Sequence, residues 1–310
     1  MTKSYQFQIM KILITGATGL LGNKLSKLLI ANNISVNYLS TSKAKIESKP
    51  NYQGFYWNID EGKIDENCLI GVDVIVHLAG ANIAKRWTNS YRQEIIESRT
   101  LTLNLLFNTL KKNPHQVKQI ISASGTAIYP DSFHKIYLET ETEIANGFLS
   151  NVVVKWEESV DQFKLLAIKV CKVRTGIVYD KNGGALAEIL KPIKLGLGAS
   201  FGSGKQIQSW IHIDDVVNMY YFLIKNNADG VYNAVAPETV SDHKLTKTIA
   251  KILKKPLFMP NIPRFMMQLI LGDMCELLFT NKNISSKKVI NEGFAFKFPE
   301  IETAMSDILK

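Results

Sequence analysis

Lys11-Ile-Leu-Ile-Thr-Gly-Ala-Thr-Gly-Leu-Leu-Gly22 is the stretch whose reading decides the fold. Ile12 to Ile14 form a short apolar run of the kind a strand buried on both faces needs. Gly16, Gly19 and Gly22 follow at steps of three. Leu21, Leu25, Leu28 and Leu29 then recur at helical spacing through Asn23-Lys-Leu-Ser-Lys-Leu-Leu-Ile30. Strand, glycine turn and helix, in that order, present free backbone N–H groups to a pyrophosphate at a helix N-terminus. A side chain at Gly16 or Gly19 would push the phosphate away, and one at Gly22 would part helix from strand. The expected phosphate site is therefore Gly16, Thr18, Gly19, Leu20, Leu21 and Gly22. A glycine-rich turn without a ligand is the competing reading, and the strand before and helix behind weigh against it.

Composition bounds the rest. The 310 residues suffice for a large core, and an apolar fraction of 46% suits a globular protein. Basic residues exceed acidic ones by 37 − 28 = 9, which suits an anionic partner such as a phosphate-bearing cofactor. The lysines are scattered singly or in pairs, so nucleic acid is not an expected partner. Cys68, Cys171 and Cys275 have no metal-ligand spacing and read as reduced, buried thiols of a cytoplasmic protein; no metal is expected. Residues 1–9 read as a short polar extension, with Met10 an equal candidate for the start and no signal peptide. Phe265 to Phe279 is interrupted by Gln268, Asp273 and Glu276, too short and polar for a membrane span.

Taken in order, strands are expected at Ile34 to Leu39, Gly54 to Trp57, Val72 to Leu78, Val117 to Ala123 and Leu165 to Arg174. Helices fall between them, at Thr88 to Leu110 and Phe148 to Phe163. Repeated βα units imply a parallel, doubly wound α/β sheet covered on both faces. Ligands of such sheets lie outside the carboxyl ends of the strands. After the second strand stand Ser40, Thr41, Ser42, Lys43 and Lys45, with no carboxylate to bind a ribose 2′-hydroxyl. That favours NADP, with NAD also open. Asn58 and Ile59 after the third strand are placed to meet an adenine. Leu78, Ala79 and Gly80 after the fourth let backbone approach the cofactor, and Ser122 and Ser124 lie after the fifth. An ordinary loop of small residues is the alternative at each point; together with the glycine turn they favour a dinucleotide.

Several motifs make a resemblance specific: T-G-A-T-G-L-L-G at 15–22, L-A-G-A-N-I-A-K-R-W-T at 78–88 and S-R-T at 98–100. Further ones are R-T-G-I-V-Y at 174–179, G-L-G-A-S-F-G-S-G-K-Q at 196–206 and S-W-I-H-I-D-D-V-V at 209–217. L-G-D-M-C-E-L-L at 271–278 and G-F-A-F-K-F-P-E-I at 293–301 complete the set. Over residues 10–310 the chain resembles the epimerase-like, atypical short-chain dehydrogenase/reductase family, the group of NAD-dependent epimerases/dehydratases and sugar-nucleotide epimerases. The resemblance implies a Rossmann core at 10–178 and a smaller C-terminal α/β substrate lobe at 179–310, with 209–234 returning to the core. Gly183-Gly184 and Gly196 to Gly204 read as loops that position the lobe. Ser209 to Lys225 reads as a helix capped by Asp214 or Asp215, and Gly230 to Ala234 as a further strand.

The superfamily's usual catalytic device is a serine after the fifth strand with Tyr-x-x-x-Lys on the next helix. Ser124 matches the serine, but Leu149 and Val153 stand where the tyrosine and lysine belong, and neither can move a proton. Tyr129 and Lys155 are the nearest substitutes; a packed tyrosine and a surface lysine are the plainer readings. Arg174, at the end of the sixth strand, joins the cofactor candidates. Asn82, Lys85, Arg86 and Trp87 would face the nicotinamide end if their loop folds over it, Arg86 binding an anionic substrate and Trp87 stacking on a ring, with loop–helix packing as the equal alternative. His212 completes the substrate candidates, with packing at a helix start as its alternative. The expected partner is a small-molecule substrate, nucleotide-linked in one version; a homodimer is open. Three functions are carried: an NADP-dependent oxidoreductase or epimerase, a dinucleotide-binding redox sensor or scaffold without turnover, and nucleic-acid binding, which only the net charge supports.

Overall fold

The computed structural model describes residues 10–181 and 183–310. The polar extension read for residues 1–9 lies outside them. Thirteen strands run in chain order among the described residues. The first eight are β1 (Lys11–Thr15), β2 (Ser35–Ser40), β3 (Ser48–Lys49), β4 (Tyr52–Asn58), β5 (Lys63–Ile64), β6 (Val74–His77), β7 (Gln119–Gly125) and β8 (Lys169–Thr175). The last five are β9 (Ile177–Tyr179), β10 (Ile207–Gln208), β11 (Trp210–His212), β12 (Gly230–Ala234) and β13 (Val240–Ser241). The helices nearest the site are α1 (Leu20–Ala31), α2 (Asn89–Lys112), α3 (Phe148–Asp161), α4 (Gly184–Lys194) and α5 (Ile213–Lys225). The C-terminal part adds α6 (Asp242–Ile252), α7 (Arg264–Leu271), α8 (Glu276–Phe279), α9 (Lys287–Asn291) and α10 (Ile301–Ile308).

The main sheet has the order β12-β8-β7-β6-β1-β2-β4-β3, with β5 also paired to β4. Every pair is parallel except those that β3 and β5 make with β4. The doubly wound α/β sheet expected from the βα rhythm is thus present. Alternation along β1 shows how it is held. Ile12 and Ile14 face the α1 and α5 layer with Leu25, Val216 and Leu223, whereas Leu13 faces α2 and α3 with Leu103, Leu106 and Trp156. Each buried aliphatic side chain contributes roughly 1.5–3 kcal/mol, so the sheet is anchored by two cores rather than one.

After β1 the chain moves outward through β2 to β4, then returns to β6 on the other side of β1. The order reverses there, so the crevice opens between the exits of β1 and β6, above the glycine turn. β12 lies beside β8 at the far edge of this sheet. The C-terminal part has its own core, built from Tyr179, Leu190, Trp210, Leu245, Ile249, Ile301 and Met305. Two small sheets, β9 with β11 and β10 with β13, frame it.

Two local expectations need correction. Gly184, read as part of a loop, instead opens α4, in which Leu186, Leu190 and Ile193 recur at helical spacing on the buried side. The helix expected from Ser209 starts only at Ile213, because Trp210–His212 pair with β9 first, and its cap is His212 rather than Asp214 or Asp215. Among the described residues no helix is long and apolar enough to cross a membrane.

Of all the glycines, Gly22 has the least room for a side chain. A Cβ there would lie 2.2 Å from the Gly16 carbonyl oxygen and 2.7 Å from the Ala17 Cα. Backbone cannot yield as a flexible side chain would, so Gly22→Ala is expected to destabilise by about 1–3 kcal/mol or more. A lowered urea midpoint at unchanged slope is the expected reading; a wild-type midpoint would refute this account of the turn.

Candidate functional site

The crevice is built first by the turn after β1. Thr15 Oγ1 accepts the backbone N–H of Leu78 at 3.2 Å and of Ala79 at 3.1 Å, which clamps the exit of β6 to the exit of β1. Gly16 has φ +73°, and a Cβ on it would meet the Leu78 carbonyl at 2.9 Å. Its missing side chain therefore makes room for the neighbouring loop, not for a phosphate. Gly19 differs: it is exposed, and only the Gly16 carbonyl oxygen, at 3.3 Å, would approach a Cβ there. As the cap of α1 it offers no side-chain hydrogen bond, and the first turn carries no acidic residue. The leading N–H groups of a helix have no intrahelical acceptor, so this end of α1 is open to an anion. Thr18 and Leu20 are exposed beside it, while Leu21 packs against the α1 side of the core.

The remaining loops divide between crevice and scaffold. Ser40 is buried, and its hydroxyl donates to the Ser42 carbonyl while accepting the Ser42 N–H, each at 3.1 Å. Thr41, Lys43 and Lys45 are exposed and Ser42 is half-buried, with the Lys43 ammonium 5.1 Å from the Tyr56 ring centre. Asn58 Oδ1 accepts the Glu61 N–H at 3.2 Å to close a turn, and Ile59 packs on the core beneath β4. Asn82 Oδ1 likewise closes a turn with the Ala84 N–H. Arg86 is exposed and Lys85 lies 5.5 Å from the Tyr91 ring. Trp87 is buried, its Nε1–H donated to the Ile83 carbonyl at 2.9 Å and its ring edge-on to Phe148 at 5.2 Å. With Arg92, Phe148, Arg264 and Glu276 it lines a cavity of about 210 Å³ between the sheet domain and α7. Ser122 is fully buried in the sheet, its hydroxyl 3.4 Å from His77 Nδ1.

Around Ser124 the structure assembles a network that sequence reading missed. Ser124 Oγ donates to Glu157 Oε1 at 2.6 Å. Arg174 grips the same carboxylate with two bonds, Nε to Oε1 at 2.9 Å and Nη2 to Oε2 at 3.0 Å. Its Nη1 donates to the Tyr129 hydroxyl at 3.0 Å, which in turn donates to Asn233 Oδ1 at 2.7 Å. Lys172 joins Asp161 at 2.9 Å and Glu157 at 3.5 Å. Burial alone would raise the Glu157 carboxyl, but the Arg174 bonds and charge overcome it and hold the group below its usual range. Burial dominates at Tyr129, whose phenol stays above its ordinary value despite Arg174. Ser124, Tyr129 and Arg174 are thus brought together. Lys155 is not: it is exposed on α3, away from this cluster.

The positions aligned with the usual tyrosine and lysine are occupied by core. Leu149 packs with Trp87, Ile95 and Val152, and Val153 with Ile128, Tyr129 and Val235. His212 serves α5: its Nδ1 accepts the Asp214 N–H at 3.1 Å, and its ring lies on Phe298 with centres 4.0 Å apart. Burial holds this imidazole below its ordinary pKa. Glu157 carried a signal that was available in the sequence. It sits one turn beyond Val153, in the apolar stripe of Leu149, Val152, Val153, Trp156 and Val160, where a carboxylate demands a buried partner.

A model of the NAD dependent epimerase/dehydratase family matches residues 12–235, and one of a domain of unknown function, DUF1731, matches residues 262–308. An epimerase family protein of Staphylococcus saprophyticus is 32% identical over 298 residues, which cover 96% of this chain and 98% of the relative. The crystal structure of human epimerase family protein SDR39U1 (isoform 2) with NADPH aligns at a TM-score of 0.82 and 29% identity, over 96% of this chain and 99% of that one. A nucleoside-diphosphate sugar epimerase from Corynebacterium glutamicum aligns at 0.77 and 28% identity, over 97% of this chain and 58% of its own.

Glu157→Gln leaves Arg174 buried without a counter-ion, and an expected cost of about 3–5 kcal/mol follows. The pH dependence has a definite sign. A carboxylate depressed in the folded state stabilises above its unfolded pKa of about 4.3, and that stability is lost as pH falls through the folded value. The gap between wild type and variant in urea melts should therefore be full at neutral pH and close on acidification below pH ~4. A gap that persists unchanged into acid would argue against an ionised Glu157.

Proposed function

The chain belongs to the NAD-dependent epimerase/dehydratase family, and from that premise we propose an NADP-binding oxidoreductase or epimerase. Its substrate is a hydroxyl-bearing small molecule, nucleotide-linked if it follows the Corynebacterium relative. The observation that carries this reading is the cradle at the β1 exit: Gly16 and Gly22 without room for side chains, Gly19 facing outward and α1 uncapped. Those features fit a dinucleotide. Gly19→Val should remove binding from a folded protein. When bound, the cofactor supplies hydride transfer at its nicotinamide ring.

The chain's own part is to bind and to handle the proton. Ser124 has one hydroxyl hydrogen, and Glu157 accepts it. The Oγ lone pairs are then left to accept from a substrate O–H. A proton leaving that hydroxyl can settle on Oγ as the Oγ proton passes to Glu157 Oε1. Arg174 keeps the carboxylate ionised and aimed. Tyr129 holds Arg174 and Asn233 in place and does not take the proton itself. A second reading, a dinucleotide-binding redox sensor or scaffold, draws on the apolar packing of Leu149 and Val153.

Two outcomes are expected. Ser124→Ala should slow turnover by roughly 10²-fold, the lower end for a lost general acid or base. Full kcat in that variant would remove Ser124 from the reaction, and no turnover of any hydroxyl substrate by wild type would favour the sensor. In parallel titrations at low salt, NADP should bind about 5- to 150-fold more tightly than NAD, through charge-assisted bonds from the Thr41–Lys45 loop. Because Lys43 and Lys45 are exposed, the preference should shrink with added salt. Equal affinities would overturn the assignment of that loop.

A further inference from the structure

The second buried arginine of the sheet domain has no acidic partner among the described residues. Arg99 is 8% exposed. Its Nη1 donates to the Ile95 carbonyl at 2.8 Å and its Nη2 to the Ala81 carbonyl at 3.1 Å. Nε has no partner, and among the described residues no carboxylate acts on the guanidinium. The contrast with Arg174, held by two bonds to Glu157, is direct. Trp156 lies under the Arg99 plane at 4.9 Å, which offsets part of the desolvation. His77, the nearest titratable group on β6, is pushed down to about 3 by burial and by Arg99, so it stays neutral and neither adds to nor cancels the charge. A lone cation in such a place is costly unless something anionic joins it.

Its position says where that anion comes from. Gly80 lies directly over the guanidinium: a Cβ there would sit 3.0 Å from the Arg99 Cζ. Gly80 itself is exposed on the crevice. Only bare backbone separates the charge from the space above the Leu78–Gly80 loop, and that loop is clamped to the glycine turn through Thr15.

We propose that Arg99 is the fixed counter-charge for a phosphate-bearing ligand held between the glycine turn and the Leu78–Gly80 loop, and that this ligand is the missing partner of its charge. The proposal rests on the reading of that crevice as a dinucleotide site and adds to it a positioning residue outside the glycine turn. It predicts that the unliganded protein carries an uncompensated charge, which ligand binding relieves.

The test compares wild type, Arg99→Met and Arg99→Lys by thermal melts and by calorimetry, with NADP and separately with inorganic pyrophosphate. Arg99→Met is expected to melt near or above wild type when unliganded. Its affinity for NADP should fall by roughly 10- to 100-fold, the range for a lost charge-assisted interaction, and Arg99→Lys should recover most of it. An Arg99→Met protein that melts well below wild type yet binds both anions as wild type does would overturn the proposal and leave the dinucleotide reading standing. Wild type that ignores NADP but gains stability from pyrophosphate through Arg99 would support the counter-charge and refute the dinucleotide. If neither anion stabilises wild type, both fall.

Discussion

The structure depends on one close approach, that of Gly22 to the Gly16 carbonyl at the start of α1. Because no side chain intervenes, α1 descends directly onto the end of β1. Thr15 then draws in the exit of β6, and the two central strands of the sheet share one rim. The reversal of strand order at this point leaves a crevice that no neighbouring connection fills. The glycine turn and the Leu78–Gly80 loop both lie along that rim.

Beneath the rim the sheet domain buries charge in two different ways. Glu157, Arg174 and Lys172 form a compensated set, tied to Asp161 and to the hydroxyls of Ser124 and Tyr129. Such a set is neutral with respect to replacement by apolar groups but intolerant of losing one member. It therefore holds Ser124 in a single orientation, which an apolar core could not do. Arg99 lacks this compensation among the described residues, and it lies directly beneath Gly80.

The C-terminal part is joined to the sheet domain by hydrogen bonds between side chains of one part and backbone groups of the other. Asp215 in α5 accepts the N–H groups of Lys297 and Phe298 at 2.8 and 2.9 Å. Asn233 on β12 donates to the Ser285 carbonyl, and Ser209 to that of Lys282. Lys282 also reaches the Tyr129 carbonyl. The same residues that frame the Ser124 network are thus contacts for the segment after α8, so the network and the lobe are positioned together.

Local pattern made the turn at 15–22, the alternation of strand and helix and the parallel sheet legible, because each rests on the spacing of residues within one element. The departure at Leu149 and Val153 was legible for the same reason, and their apolar packing is now seen directly. Glu157 and Arg99 could have been found as charges in buried helical stripes. What no stripe could reveal is that one has a counter-ion and the other does not. Arg174 reaches Glu157 because β8 lies beside β7 under α3, and among the described residues no acidic side chain is brought to Arg99 under Gly80. Likewise His212, rather than the acidic pair after it, caps α5 because β11 first pairs with β9. The sequence by itself determined the glycine turn and the alternation of strand and helix through β8, since each follows spacing within one element. Only the tertiary structure decided which buried charges are paired, since that depends on strand order across the sheet.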